Sequence, residues 1–200
     1  MFISFEGIDG CGKTTQIEQL SNYFEKRGAE LIKLREPGGT ATSEQIRSIL
    51  LNHKNDIDSV TELFLFEAAR SCLVQQIIKP ALDEGKIVLS DRFFDSTIAY
   101  QGYGRGLNME MINKLNEFAT QNIKPDITFY LKISLDLSNQ RTKYKNPDRM
   151  ELSGQIFFER VIKGFDEIAL KEPNRVITID SSGQVQKTFS LIEKAINERF

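Results

Sequence analysis

The stretch "FEGIDGCGKTTQ", residues 5–16, decides the fold. Gly7 is followed by Ile8, Asp9, Gly10 and Cys11 and then by Gly12, Lys13 and Thr14, the spacing of a loop that cradles the phosphates of a nucleotide. Before it runs a short apolar burst, "MFISFEG", and after it helical spacing from Lys13 to about Arg27, which together read as strand, turn and helix. Such a turn aims successive backbone N–H groups at phosphate oxygens, and the helix adds the positive end of its dipole. Gly7, Ile8, Asp9, Gly10, Cys11, Gly12, Lys13, Thr14 and Thr15 are therefore the expected phosphate-holding residues. Within them Lys13 should reach the β- and γ-phosphates and Thr14 should place its hydroxyl on Mg²⁺.

Working outward, strands alternate with helices. "AELIKLRE" reads as a second strand, "PGGT" breaks the chain, and helices follow over Ala41–Leu51 and over residues 61–82. "KIVLSDR" is a run of branched apolar residues closed by Asp91, as in a strand covered on both faces. A polar, glycine-rich stretch, "DSTIAYQGYGRG", leads to a helix over residues 109–121 and a strand at "DITFYLKI". Helical spacing over 134–143, a loop at "YKNPDR", helical spacing over 155–171, a fifth strand at "RVITID" and a closing helix over 184–199 complete the chain. The pattern predicts an α/β fold, a five-stranded parallel sheet flanked by helices on both faces, with ligands held at the carboxyl ends of the strands.

At 200 residues and 40% hydrophobic composition the chain can bury one ordinary core, and no repeat or linker divides it, so residues 1–200 are expected to form one domain. A formal charge of −2 argues against a general nucleic-acid-binding surface, so any basic cluster points to a local site. No apolar run is long enough to cross a bilayer, and the two cysteines sit in unrelated settings, which fits a cytoplasmic protein with free thiols.

Asp91 ends its strand where a carboxylate can hold a metal ion or its water, and Arg92 beside it can grip a phosphate with two parallel hydrogen bonds. Phosphoryl transfer relies on positioning and on cations placed where charge spreads. The chain offers Arg35, Arg47, Arg70, Arg92, Arg141, Lys143, Lys145 and Arg149, while the single histidine, His53, reads as a surface residue. The last four of those cations surround "NPD" in a candidate basic flap over about residues 142–153, a segment that alternatively reads as a solvated charged loop. Phe66 and Arg70, four apart, share a helical face and can touch one ligand, although Phe66 by its composition alone reads first as ordinary core.

Four further segments carry a resemblance. "REPGGT" at 35–40, "LFEAAR" at 65–70, "DRFFDSTIAYQGYGRG" at 91–106 and "DRME" at 148–151, behind the glycine loop, resemble the thymidylate kinases. The resemblance implies the phosphate-loop nucleoside monophosphate kinase fold with a lid, a transfer of phosphate from ATP with Mg²⁺ to dTMP giving dTDP, and a homodimer; the charge and hydropathy above leave no nucleic-acid or membrane partner expected. It also implies roles. Phe66 would stack on thymine, Arg70 would bond its carbonyl edge, and Thr97 and Gln101 would read its other polar atoms. Tyr100 would lie under the sugar, Arg92 with Arg35 or Arg47 would hold the acceptor phosphate, and Glu36 would line the same pocket. Asp9 would face the sugar and the metal region, Arg141 would attend ATP, and Thr14 and Asp91 would serve the metal. With Asp9, Gly10 and Cys11 in the loop and no arginine there, the catalytic cation falls to the lid, as Arg149, Lys143 or Lys145, alongside Lys13 and Arg92, with Asp9 the acidic member of the catalytic set.

Other classes fit less well. A guanine-reading switch resembles its relatives in an Asn-Lys-x-Asp segment, and "NKLN" at 113–116 lacks the aspartate. A motion-driving ATPase wants a glutamate directly after the Asp91 strand, where Arg92 stands. A kinase for another pyrimidine nucleoside monophosphate, or for a deoxynucleoside, stays open as the alternative within the same architecture.

Overall fold

A computed structural model describes residues 1–143 and 148–199. Five strands, β1 (Phe2–Glu6), β2 (Leu31–Arg35), β3 (Ile87–Asp91), β4 (Ile127–Lys132) and β5 (Val176–Asp180), form one sheet in the order β2-β3-β1-β4-β5. Every pairing is parallel, with Phe5 opposite Asp91 on one side of β1 and opposite Phe129 on the other. From β1 the chain crosses over β3 to the β2 edge, and from β3 it crosses to the opposite side of β1. The chain therefore leaves the carboxyl ends of β1 and β3 in opposite directions, and a crevice opens between them.

The central strands are apolar because both of their faces are covered. On β1 the period of two sends Ile3 and Phe5 into a cluster with Ile17, Leu20 and Phe24 of α1 (Lys13–Glu25) and with Phe189, Ile192 and Ile196 of α9 (Val185–Arg199). Phe2 joins a second cluster with Leu73, Ile78 and Phe93. The polar residues on the Phe2 side of β1 are satisfied there. Ser4 shares a 2.7 Å hydrogen bond with Thr128, and the Glu6 carboxylate accepts from Phe93 N–H at 2.7 Å and Ser96 Oγ at 2.6 Å.

Helix starts follow capping chemistry. Thr40 caps α2 (Ala41–Leu51) through Ser43 N–H, and Asp58 caps α3 (Ser59–Leu73) through Val60 and Thr61 N–H, which starts that helix two residues before the predicted 61. Helix α3 runs on through a π-helical turn, Val74–Ile78, into α4 (Lys79–Asp83). Asn108 and Ser134 cap α6 (Met109–Thr120) and α7 (Leu135–Thr142), and α8 spans Gln155–Lys171 as the spacing predicts.

The glycine-rich stretch after Asp91 is helical: α5 (Phe94–Thr97) continues as a π-helical segment, Ile98–Gly104. Its glycines permit close packing. A Cβ on Gly104 would come within 2.6 Å of the Phe157 ring on α8, and one on Gly164 of α8 within 3.0 Å of the Ala99 Cα. Of the predicted lid, Thr142 ends α7 and Glu151–Ser153 is a turn of 3₁₀ helix, while Tyr144, Lys145, Asn146 and Pro147 lie outside the described residues.

Candidate active site

A cleft of about 470 Å³ lies over the ends of β1 and β3. Its floor is the glycine loop. Gly7, at φ +136°, has no room for a side chain, since a Cβ there would stand 2.5 Å from Leu131 O. Gly12, at φ +96°, hands over to α1, whose first turn receives no side-chain cap. The uncapped N–H groups at this helix start form an anion seat, and Gly12, Lys13, Thr14 and Thr15 all line the cleft.

Lys13 is held beneath that seat. Only 7% exposed, its Nζ donates to Gly7 O at 3.2 Å and stands 3.9 Å from both Asp9 Oδ1 and Asp91 Oδ1. Thr14 Oγ1 donates to Asp91 Oδ2 at 3.2 Å. A hydroxyl and a carboxylate at that distance suit Mg²⁺, which takes few protein ligands and fills its octahedron with water and phosphate oxygens. Among the described residues no cluster of three or more carboxylates, histidines or cysteines forms a cage for a metal by itself. Ile8 and Cys11, by contrast, bury their side chains away from the cleft, and the Cys11 N–H turns back to Ile8 O at 3.3 Å. Burial pushes the Cys11 thiol up, against the pull of Lys13 and Arg92.

Arg141 of α7 fastens the far wall, donating at 3.1 Å each to Gly10 O, Ser181 O and Ser182 O. Arg92 bridges the two halves of the cleft. Its backbone takes the left-handed φ of +73°, which turns the guanidinium onto Gly7 O at 2.9 Å, Asp9 Oδ1 at 3.0 Å and Ser96 Oγ at 3.2 Å. Burial works against the charge of Arg92, yet Tyr100, Asp9, Asp91 and Glu6 raise its pKa well above the ordinary arginine value.

The same cleft is lined by Phe66, half-buried, and by Thr97, Tyr100 and Gln101 from α5 and the π-helical segment. Arg35 pairs with Glu44 at 3.1 Å, and Arg47 donates to Pro37 O at 2.8 Å. Arg70, 2% exposed, sits in a cage: Nε and Nη2 reach Glu36 Oε2 at 2.8 and 2.7 Å, and Nη1 reaches Glu67 at 2.7 Å, Thr97 at 2.8 Å and Asn116 at 3.0 Å. Burial pushes Glu36 up to about 7, with Arg70 opposing. The cleft collects six cations, Lys13, Arg35, Arg47, Arg70, Arg92 and Arg141, against the carboxyl groups Asp9, Glu36, Asp91 and Asp148. In a chain of net charge −2, this local excess of positive charge matches a polyanionic ligand.

Arg149 does not line this cleft. Its Nη2 meets Glu62 Oε2 at 2.7 Å and its Nε donates to Leu50 O at 2.8 Å. Lys143 lines a neighbouring cavity with Asp9 and Glu151, and Lys145 is among the residues not described. Sequence reasoning missed Glu62, Glu67 and Asn116. The signal was present in "TELFLFEAAR": two glutamates inside an apolar helix are rarely buried without cationic partners.

A parallel sheet carrying a glycine loop with an uncapped helix start, a hydroxyl and a carboxylate in contact beside it, and a half-buried ring and an arginine lining the same cleft defines a phosphate-loop kinase fold of the nucleoside monophosphate type. The comparisons with known proteins are narrower. A family model described as thymidylate kinase matches residues 5–192. Over 213 aligned residues the chain is 47% identical to the thymidylate kinase of Chlorobium luteolum, covering 100% of this chain and 98% of that one. It is 49% identical over 191 residues to that of Chlorobaculum parvum, covering 90% and 88%. The crystal structure of thymidylate kinase from Ehrlichia chaffeensis superposes with a TM-score of 0.81 at 36% identity, covering 98% of each chain. The chain belongs to the thymidylate kinase family.

Proposed function

We propose that this protein transfers the γ-phosphoryl group of ATP to the phosphate of dTMP, giving dTDP and ADP. The observation that supports the reading is one cleft lined both by the helix start Gly12–Thr15 and by a half-buried ring, Phe66, with Gln101 and Arg92. Two anionic nucleotides laid end to end along that cleft bring the donor and acceptor phosphates together. The reaction then needs little beyond positioning and charge stabilisation.

In this reading Lys13 and the first N–H groups of α1 bind the β- and γ-phosphates, with the backbone of Gly7, Ile8, Gly10 and Cys11 shaping the loop and Arg141 bracing it. Thr14 and Asp91 would hold Mg²⁺, which would supply positive charge to stabilise the phosphates. Arg92, with Arg35 and Arg47, holds the acceptor phosphate near Asp9. Phe66 stacks on the base, Thr97 bonds its edge, and Tyr100 lies under the sugar; Arg70, whose donors go to Glu36, Glu67, Thr97, Asn116 and Phe93 O, reaches the edge only by releasing one of these partners. The lid over residues 142–153 supplies the remaining cation from Lys143, Lys145 or Arg149. Arg149 enters only by leaving Glu62.

Residues 1–200 would act as one domain. Exposed apolar residues on two packed helices, Val60 and Phe64 of α3 with Met111 and Phe118 of α6, suit a face shared with a second copy of the chain. Both cysteines are free thiols, in keeping with work in the reducing cytoplasm.

The test is a substrate panel with ATP and Mg²⁺. The expected result is rapid conversion of dTMP to dTDP, with UMP, CMP and thymidine far slower. ADP released at the same rate without any acceptor marks an ATPase and removes the transferase reading.

A further inference from the structure

The Gln101 side-chain amide has two faces with opposite hydrogen-bonding sense, and which one meets a base decides which base is accepted. Gln101 is 2% exposed and lines the acceptor end of the cleft. Its Nε2 donates to Glu62 Oε1 at 2.8 Å. Glu62 is fully buried on α3, and both of its oxygens already accept from guanidinium groups: Arg105 Nε at 3.1 Å and Nη2 at 3.0 Å, and Arg149 Nη2 at 2.7 Å.

We infer that Glu62 is a specificity-determining positioning residue, which locks the Gln101 amide so that its carbonyl oxygen, and not its NH₂, faces the base. A carboxylate can only accept, so the amide nitrogen must point at Glu62 and Oε1 must point away. Among the described residues no donor is bonded to Oε1, which leaves it as an acceptor in the pocket.

The chemistry of the pyrimidine edge follows directly. Thymine and uracil carry a ring N–H between two carbonyls, and that N–H can donate to Oε1. Cytosine carries a bare ring nitrogen at the same place, which sets two acceptors against each other. A fixed amide therefore favours the N–H-bearing bases, whereas an amide free to turn over serves either kind, as a glutamine alone would. Arg105 has a part in this: its Nε and Nη2 grip both oxygens of Glu62, so the carboxylate cannot swing off to follow the amide even when Arg149 leaves it.

This inference rests on the reading that Gln101 meets the base of a nucleoside monophosphate. Its test compares kcat/KM for dTMP, dUMP and dCMP at saturating ATP in the full chain and in Glu62→Gln, whose side chain can donate as well as accept. The ratio of dTMP to dCMP should fall about tenfold or more, the scale of one buried hydrogen bond of the wrong sense. The ratio of dUMP to dCMP should fall with it, and the KM for ATP should hold. Unchanged ratios in a folded variant overturn the inference alone, and so does an equal loss with all three nucleotides, which marks a merely structural role. A wild-type protein indifferent to the three bases overturns the substrate reading and takes this inference with it.

Glu62→Gln leaves two guanidinium groups short of an acceptor and can fail to fold, so the wild-type protein supplies a second measurement. In the ¹⁵N–¹H spectrum the Gln101 side-chain NH₂, assigned by its loss in Gln101→Met, should exchange slowly with water and stay protected when dTMP or dCMP is added. Exchange at the rate of an exposed amide overturns the lock.

Discussion

Arg70 and Glu36 meet through a single oxygen: Nε and Nη2 of the guanidinium both lie within 2.8 Å of Glu36 Oε2, in a region where neither side chain sees appreciable solvent. Glu67 adds a second buried carboxyl at 2.7 Å. Arg70 is thus structural before it is anything else. Arg70→Ala leaves two carboxyl groups buried without their cation, and breaking a buried pair from one side costs about 3–5 kcal/mol. Urea unfolding should show that loss in the midpoint, before any nucleotide is added. A variant as stable as the parent, with only its dTMP affinity changed, contradicts the cage and restores a role confined to the ligand.

Glu36 also ties stability to pH. Its ordinary value of 4.5 is pushed up to about 7 by burial, against the pull of Arg70. Glu6 is pushed from 4.5 to about 8, first by burial and then by Asp95, with Arg92 pulling the other way. Below 4.5 these groups hold their protons in both the folded and the unfolded chain, and their contribution is fully present. Between 4.5 and the raised values only the folded chain binds the proton, so this contribution declines as pH rises and is lost above about 7 for Glu36 and about 8 for Glu6. Denaturant midpoints measured from pH 5 to pH 8 should decline, and Glu36→Gln should flatten the part below about 7. A midpoint slope untouched by that substitution removes Glu36 from the account.

The sheet and the glycine loop were legible in the sequence because each rests on a local pattern: apolar runs of strand length, and glycines at fixed offsets before Lys13 and Thr14. The helix at Phe94–Gly104 was not, because Gly102 and Gly104 look like turn residues until Phe157 and Met109 are seen pressed against them. Most of the candidate site residues line one cleft, as their types suggested. Their partners were hidden. Glu62 bonds Gln101 across 39 positions and Arg105 across 43, and no spacing rule reaches that far along a single chain. Arg149 shows the same limit from the other side. Its place beside the lid motif suggested the phosphates, and the fold gives it Glu62.

Packing at the glycine-rich helix yields a prediction of its own. Gly104→Ala puts a methyl 2.6 Å from the Phe157 ring and 3.0 Å from Val161 Cγ2, both on the buried side of α8. Overpacking of this kind costs about 1–3 kcal/mol. Thermal unfolding should register it, and the double variant Gly104→Ala with Phe157→Leu should recover part of the loss. If the single substitution is neutral, the helix packs more loosely against α8 than these distances say.

Thr14 is tied to the carboxylate that ends β3. Its hydroxyl donates to Asp91 Oδ2 at 3.2 Å while Lys13 stands 3.9 Å from the other oxygen of the same carboxylate, so one aspartate contacts both side chains. Thr14→Ala keeps the Lys13 contact and removes only the hydroxyl. The Mg²⁺ concentration needed for half-maximal turnover should rise about 10- to 100-fold, the range seen when a group that orients a metal site is lost. Binding of dTMP without ATP, followed by calorimetry, should not change, because Thr14 bonds Asp91 and not Thr97 or Gln101. Thr14→Ser should restore the parent Mg²⁺ requirement, and chelation by EDTA should halt turnover in every variant. Should Thr14→Ala and the parent share one Mg²⁺ titration curve, the hydroxyl plays no part in holding the ion, and Asp91 must do so with water and phosphate alone.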